Sequence, residues 1–317
     1  MEVTTVGKAM ARSRPRRRIS GWLVIDKPVG MTSAAVVDRV RRLTGAARVG
    51  HAGTLDPLAT GVLPVALGEA TKTMAYVVDS DKTYRFRIRW GEARATDDAD
   101  GEVIATTEAR PTAEEIRRAL PELTGDILQR PPAYSAIKVN GKRAYALARA
   151  GKPVTLEPRR VRIHRLDLKA IVDRDHAEFE ACCGKGAYMR SLARDLAERL
   201  GTFGHIAALR RTAVGRFTED DAISLDHLGA LGHSARVLEQ LRPVETALDD
   251  IPVLALTESE ASRLKNGRAV PVLRTADRAL IDELGDGAVV CAMSGGKAVA
   301  LSRVDGFQIR PVRVLHP

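Results

Sequence analysis

Apolar residues along the chain switch between two spacings. From Thr83 to Trp90 they alternate: Tyr84, Phe86, Ile88 and Trp90 fall on one side of an extended chain, and Arg85, Arg87 and Arg89 on the other. That is the pattern of a strand with one packed face and one basic face. Gly21-Trp-Leu-Val-Ile25 reads as a short buried strand ended by Asp26-Lys-Pro-Val-Gly30, and strands are also predicted at 160–168 and 176–183. Helical spacing follows Thr32 or Ser33, either of which can cap a helix that places Val36, Val37, Val40 and Leu43 on one face. Thr112 with Glu115 makes a capping box ahead of Ile116, Leu120 and Leu123, and Gln129-Arg-Pro-Pro132 stops that element. Further helices are expected at 143–150, closed by Gly151; after Gly184-Lys-Gly186, with Leu192, Leu196 and Leu200 in register; and at 226–241. Residues 44–72, rich in Gly, Ala, Thr and Pro, read as a structured loop with short elements. Beyond about residue 250 come short apolar runs at 287–293, 297–304 and 307–315, divided by Ser294-Gly-Gly296 and Asp305-Gly306.

These elements predict an α+β protein, with a mixed, mostly antiparallel sheet and helices over residues 20–250. A small β-rich domain would follow over 251–317, and a basic disordered arm over 1–19 would precede both. The 317 residues suffice for one large domain and a small one, and the 44% apolar content can supply their cores.

Charge adds the suspicion of a polyanionic partner. The formal net charge is +10, and half of it, +5, sits in residues 1–18. Basicity alone therefore does not prove nucleic-acid binding by the folded part. Cys182, Cys183 and Cys291 have no C-x-x-C spacing, and neighbours in sequence rarely bridge, so buried thiols in a reducing cytosol are expected. No apolar stretch is long enough for a membrane span, and the N-terminus has no apolar signal core. The histidines have no ligand-like spacing to one another or to the cysteines, so no metal is expected. Gly-x-Gly at 184–186 lacks the third glycine and the acidic partner of a dinucleotide site.

Candidate chemistry concentrates in Arg48-Val-Gly-His-Ala-Gly-Thr-Leu-Asp-Pro-Leu-Ala-Thr-Gly-Val-Leu-Pro64. His51 and Asp56 stand there among Gly50, Gly53, Pro57 and Gly61. Pro57 biases Asp56 toward extended backbone, and the apolar flanks leave its charge in need of a partner. Asp before Pro is also a common turn starter and a lone His is commonly structural, so the segment by itself leaves both readings open. Thr96-Asp-Asp-Ala-Asp-Gly101 has the spacing of a calcium loop but the wrong residues at positions one and twelve; a solvated turn is expected, with Asp98 open to a further part.

The Asp56 segment resembles the aspartate motif of the TruB family of pseudouridine synthases, and further blocks match in family order. They are Gly21-Trp-Leu-Val-Ile-Asp-Lys-Pro-Val-Gly-Met-Thr-Ser33, Asp79-Ser-Asp-Lys-Thr-Tyr84, Pro132-Ala-Tyr-Ser-Ala-Ile-Lys138 with Gly141-Lys-Arg-Ala-Tyr145, Lys185-Gly-Ala-Tyr-Met-Arg-Ser-Leu-Ala-Arg-Asp195, and Gly204-His-Ile-Ala-Ala-Leu-Arg-Arg-Thr212. The likeness covers roughly residues 20–217 and is weaker beyond about 250, where the family carries a PUA-like RNA-binding end domain. Ala187 departs from a frequent Thr.

The resemblance implies a cytoplasmic isomerase that needs no cofactor, flips uridine 55 out of the T-loop of transfer RNA and converts it to pseudouridine. It implies that Asp56 is the catalytic carboxylate, that Arg190 pairs with it through a bidentate guanidinium, and that Tyr84 stacks on the uracil. Tyr188 and Leu209 would line the same pocket, Asp98 would lie near it, and His51 would fill the space that the base vacates. Lys27, Lys138, Arg143, Arg210 and Arg211 are candidates for phosphate contacts; Tyr134 and Tyr145 read as packing residues. A monomer is expected, because no exposed apolar stripe is evident. Two rivals remain. A non-catalytic RNA-binding or RNA-folding protein would have no use for Asp56 beside Arg190. A glycoside hydrolase would want a second acid about 5–9 Å away, for which Asp26 and Asp98 are available.

Overall fold

The computed structural model of the chain describes residues 17–139, 141–231 and 236–316. Most of the expected arm, residues 1–16, lies outside them. Its last three residues do not behave as an arm: Arg17 exchanges backbone hydrogen bonds with Gly45 and Ala47, and Ile19 is buried.

The elements run β1 (Gly21–Lys27), α1 (Ser33–Thr44), β2 (Val49–His51), β3 (Thr60–Leu67), α2 (Met74–Asp79), β4 (Lys82–Trp90), β5 (Glu92–Arg94), β6 (Val103–Thr106), α3 (Ala113–Ala119), β7 (Gly125–Gln129), β8 (Lys138–Val139), β9 (Lys142–Arg143) and α4 (Ala144–Arg149). They continue with β10 (Arg159–Ile171), β11 (His176–Cys183), α5 (Met189–Arg199), β12 (Gly204–Val214), β13 (Phe217–Thr218), β14 (Ile223–Ser224), α6 (Leu225–Ala230) and α7 (Arg236–Glu239). The large sheet is ordered β14-β1-β3-β12-β4-β11-β10-β7, with β2 on β3 and β13 on β12. Within this sheet, among the described residues, only β1–β14 and β3–β12 pair in parallel, so it is mixed and mostly antiparallel, as expected.

Alternation along the strands creates two cores. Leu23, Ile25, Leu63, Val65, Phe86 and Phe179 face the side covered by α1 and α5. Phe86 and Phe179 stack at 5.5 Å between ring centroids, and Trp90 meets Phe179 edge-on at 6.2 Å. Trp22, Val24, Val62, Ala66 and Phe217 face the other side. Side chains of this size each contribute about 1.5–3 kcal/mol on full burial.

The second core is completed from the C-terminal segment: β15 (Val253–Ala255), α8 (Glu258–Lys265), β16 (Val270–Pro271), α9 (Thr275–Leu284), β17 (Val289–Ser294), β18 (Lys297–Asp305) and β19 (Gln308–Val314). Its sheet, ordered β15-β17-β18-β19-β16, sends Cys291, Ala298 and Leu301 against Trp22 and its neighbours. The Lys72 ammonium donates to Val314 O at 2.7 Å, and the Ala298 N–H donates to Glu245 at 2.8 Å. The segment is thus docked on the sheet face opposite α1 and α5.

Four expectations change. The element opened by Thr112 does not run on to Gln129: α3 ends at Ala119, a 3-10 turn carries Leu120 and Leu123, and Gly125–Gln129 is strand β7. Residues 60–67 are a fully paired inner strand, not part of a loop. Pro64 is tolerated there because a strand residue's N and C=O face the same neighbour. Its carbonyl accepts from Ala52, just past the end of β2, so the missing donor leaves the ladder to β1 intact. Of the helix expected at 226–241, the described residues show α6 ending at Ala230 and α7 over Arg236–Glu239, and residues 232–235 lie outside them; Gly229 weakens the end of α6. The 96–101 turn is only partly solvated: Ala99 and Asp100 are exposed, but Asp98 is buried and Asp97 accepts from Arg194 at 2.9 Å, because α5 aims two arginines at it.

Candidate active site

The loop between β2 and β3 is held from both flanks. The buried Ser33 hydroxyl, at the start of α1, accepts from the Leu55 N–H at 2.9 Å and donates to the Leu55 carbonyl at 3.0 Å. The Gly30 N–H donates to Pro57 O at 2.7 Å. On the far side Arg211 donates through Nη2 to Gly53 O at 3.0 Å and through Nε to Val62 O at 2.8 Å. Gly53 adopts φ +94°, and a Cβ there would come 3.3 Å from Arg211 Nη1. Leu55 and Ala59 are buried, so between these anchors the Asp56 side chain points out into a cleft.

There Asp56 meets Arg190. Oδ2 lies 3.0 Å from Arg190 Nε, and Asp98 approaches the same nitrogen at 3.6 Å. The expected bidentate fork is not formed. Nη1 donates to Thr96 O and Nη2 to Tyr134 O, both at 2.8 Å. The Nε–H itself is buried and off the line of a hydrogen bond, so the pair is Coulombic rather than directional. Asp56 is crowded by protein yet 37% accessible, because its open side faces a cavity. Burial raises its pKa above the ordinary value; Arg190 and Lys27 pull it down and Asp98 pushes it up. Desolvation wins, so Arg190 moderates a raised pKa and does not depress it.

That cavity has a volume of about 340 Å³. Its walls include Asp56, Tyr84, Tyr188, Leu209, Lys82 and Arg211. Tyr84 comes from β4, and Leu209 from β12 opposite Phe86. Burial raises the Tyr84 pKa despite the neighbouring Arg211, so the phenol stays protonated. Tyr188 precedes α5, and burial followed by the Asp56 charge raises its pKa as well. Asp98 stands behind Arg190, fixed by Thr96 Oγ1 and the Asp100 N–H. The structure thus brings Asp56, Tyr84, Arg190, Tyr188, Leu209 and Asp98 together from five separate stretches of chain.

His51 ends β2 outside this wall, half-buried, with Nδ1 unpartnered; burial and Arg211 lower its pKa, so it is neutral near pH 7. Lys27 does not suit a phosphate contact. It is fully buried and donates to the carbonyls of Pro28 at 2.9 Å, Met31 at 2.6 Å and Pro57 at 3.2 Å. Its pKa falls to about 8, mainly through burial. It holds the Asp56 loop and faces the carboxylate. Arg210 is taken up by Asp26 and Glu219, and Arg211 is buried. Lys138 and Arg143 remain exposed. Tyr145, read as a packing residue, is 42% exposed.

Three contributors escaped the sequence reading. Gln129 is buried, and its amide both accepts from the Tyr188 N–H at 2.8 Å and donates to the Tyr188 carbonyl at 3.1 Å. Ser33 clamps Leu55, and Lys82 walls the cavity. Gln129 had only its place before two prolines to mark it. Among the described residues no His, Cys, Asp and Glu cluster could hold a metal, and no helix is long and apolar enough to cross a membrane. All three thiols are unbridged.

Comparison with known proteins shows the family. Residues 41–189 match the TruB family pseudouridylate synthase N-terminal domain, and 190–249 match the tRNA pseudouridylate synthase B C-terminal domain. The tRNA pseudouridine synthase B of Rhodospirillum rubrum is 53% identical over 307 residues, covering 97% of this chain and 100% of that protein. The Caulobacter vibrioides protein of the same name is 51% identical over 308 residues, 97% of this chain and 99% of that one. The fold is shared with a chain in the crystal structure of a Cbf5-Nop10-Gar1 complex, with TM-score 0.72, 24% identity, 94% of this chain and 85% of that one. With family models matched over residues 41–249 and relatives about half identical along nearly its whole length, the chain belongs to the TruB family of pseudouridine synthases.

Proposed function

We propose that this chain isomerises uridine 55 in the T-loop of transfer RNA to pseudouridine, working as a cytoplasmic monomer with Asp56 as the carboxylate that engages the sugar. The observation that carries this reading is the Asp56–Arg190 contact at 3.0 Å, at the wall of a cavity that also holds two tyrosines. Cleavage of the N-glycosidic bond leaves C1′ electron-poor. A carboxylate beside it can bond to that carbon or take the C2′ proton; addition to the base is a third route open to the same group. Tyr84 and Leu209 offer an aromatic and an apolar surface to the base. Reaching them requires the nucleotide to leave its stack, at a cost of a few kcal/mol, and His51 borders the loop where the vacated space would be filled.

The substrate follows from the named relatives, which are transfer RNA pseudouridine synthases. A non-catalytic RNA chaperone would not need an anion desolvated in a cavity, since phosphate repels it. The decisive experiment incubates unmodified transfer RNA with the pure protein and maps pseudouridine by chemical tagging, because product and substrate have the same mass. Conversion at position 55 alone is expected. No conversion, or conversion elsewhere only, overturns the reading.

A further inference from the structure

Lys82 and Arg211 are buried in the floor of the cavity, 7% and 1% exposed, and among the described residues neither is ion-paired with a carboxylate. Lys82 lies two residues before Tyr84 on β4 and so shares its face of the sheet; Arg211 on β12 is the residue directly opposite Tyr84. The ammonium donates to the carbonyls of Val78 and Ser80, and the guanidinium to those of Val62 and Gly53. Neutral acceptors fix these side chains but do not cancel their charge. Asp79 and Asp81 act on Lys82 only from exposed positions, where Asp79 pairs with Lys185 at 3.1 Å and Asp81 contacts His164 at 3.0 Å, and Asp56 is paired with Arg190. Burial and then the Arg211 charge lower the Lys82 pKa, and they prevail over the opposing pull of Cys183, Asp79 and Asp81. Buried charges in folded proteins are nearly always paired, so two like charges in one cavity wall imply a counter-charge that arrives with the ligand.

We propose that Lys82 and Arg211 form the subsite that holds the oxygen-bearing edge of the uracil ring and neutralises the negative charge it gains when the glycosidic bond opens. This rests on the reading of the chain as a uridine isomerase. As the C1′–N1 bond breaks, its electron pair leaves with N1 and spreads over O2 and O4. C1′, short of that pair, is balanced by the Asp56 carboxylate or by loss of the C2′ proton to it. The charge on the base is discharged when C5 bonds to C1′, which releases the Asp56 carboxylate from that carbon or, on the other route, returns the proton from Asp56 to C2′; C5 then loses its proton and N1 gains one. Both cations lie on the floor beside Tyr84, where a stacked base would sit. A phosphodiester, tied to the chain in both directions, stays at the rim. Two donors without an acceptor between them also disfavour the 4-amino group of cytosine.

The test compares two T-stem-loop RNAs, identical except for uridine or 5-fluorouridine at the target position, under single-turnover conditions. Fluorine withdraws electrons and stabilises the base anion without help from the protein. Lys82→Met is expected to slow glycosidic cleavage of the uridine RNA by about 100-fold and of the fluorinated RNA by roughly 10-fold or less. RNA affinity should change by less than about threefold, and Lys82→Arg should restore most of the rate. Equal slowing of both RNAs overturns the subsite, as does Lys82→Arg behaving like Lys82→Met. Lost affinity with an unchanged rate overturns it too, by making the residue a phosphate contact. Arg211 ties down Gly53 and Val62, so its removal would mix folding with chemistry; Lys82 carries the test, with thermal unfolding checked for each variant. Wild-type conversion of the uridine RNA reports on the isomerase reading itself, and the ratio between the two RNAs reports on the subsite.

Discussion

Arg190 presents Asp56 with Nε alone, 3.0 Å from Oδ2, while both of its terminal nitrogens donate to backbone carbonyls of Thr96 and Tyr134. The guanidinium is therefore a tie between the 96–98 turn, the Tyr134 backbone and α5, and its charge reaches the carboxylate as a by-product of that position. A carboxylate held by one off-line contact remains free to turn toward a substrate carbon.

Asp56→Asn keeps the shape of the side chain and removes its charge. Pseudouridine formation should fall by at least about 1,000-fold, while RNA affinity stays within a few-fold. Tagged-site mapping and filter binding on the same preparation check both halves. Full conversion by the variant would remove Asp56 from the mechanism.

The raised pKa of Asp56 fixes a direction for the pH profile. The ionised form is the reactive one, so single-turnover rates should climb with pH through an apparent pKa above the ordinary carboxylate value. Arg190→Met removes the charge that lowers this pKa and should move the acid limb further up. An acid limb at or below the ordinary carboxylate range would mean that Arg190 and Lys27 outweigh burial at Asp56.

Lys27 should matter for stability more than for RNA contact. Its native pKa, about 8, lies below the 10.5 of an unperturbed lysine. Between those values the unfolded chain binds more protons, so wild-type stability should rise with pH there. Lys27→Met loses three donated hydrogen bonds, which costs about 1–3 kcal/mol near neutrality. Urea unfolding at pH 7.5 and 9.5 should show wild type gaining on the variant as pH rises.

Gln129→Leu removes both bonds to the Tyr188 backbone while keeping side-chain bulk. Leaving that peptide unsatisfied costs about 1–3 kcal/mol and lets the pocket tyrosine drift. The expected signature is a lower single-turnover rate, on the order of 10–100-fold, with RNA affinity unchanged. Unaltered rate in a destabilised protein would make Gln129 purely structural.

Lys138 and Arg143 are the remaining exposed candidates for phosphate contacts, on the β8–β9 hairpin. Lys138→Gln should weaken RNA binding uniformly across sequences and flatten the salt dependence by roughly one unit of slope. An unchanged slope would place the docking surface elsewhere.

What the sequence by itself determined is whatever depends on neighbours along the chain. Alternation from Tyr84 to Trp90 specified β4 and its buried face, Thr112 with Glu115 specified the start of α3, and the order of motifs specified the family. Asp56 stood out because glycine and proline surround it. What only the tertiary structure decided is which charges meet. Lys27 looked like a solvent-facing cation, yet three carbonyls from two segments enclose it. Asp98 looked like part of a wet turn until α5 brought Arg190 against it. Residues 60–67, Pro64 among them, read as loop from their composition, because nothing local shows that the missing donor of Pro64 faces the end of β2. The reason is common to all three: burial and pairing of a polar group are set by groups distant in sequence, which register and side-chain spacing along one segment do not encode.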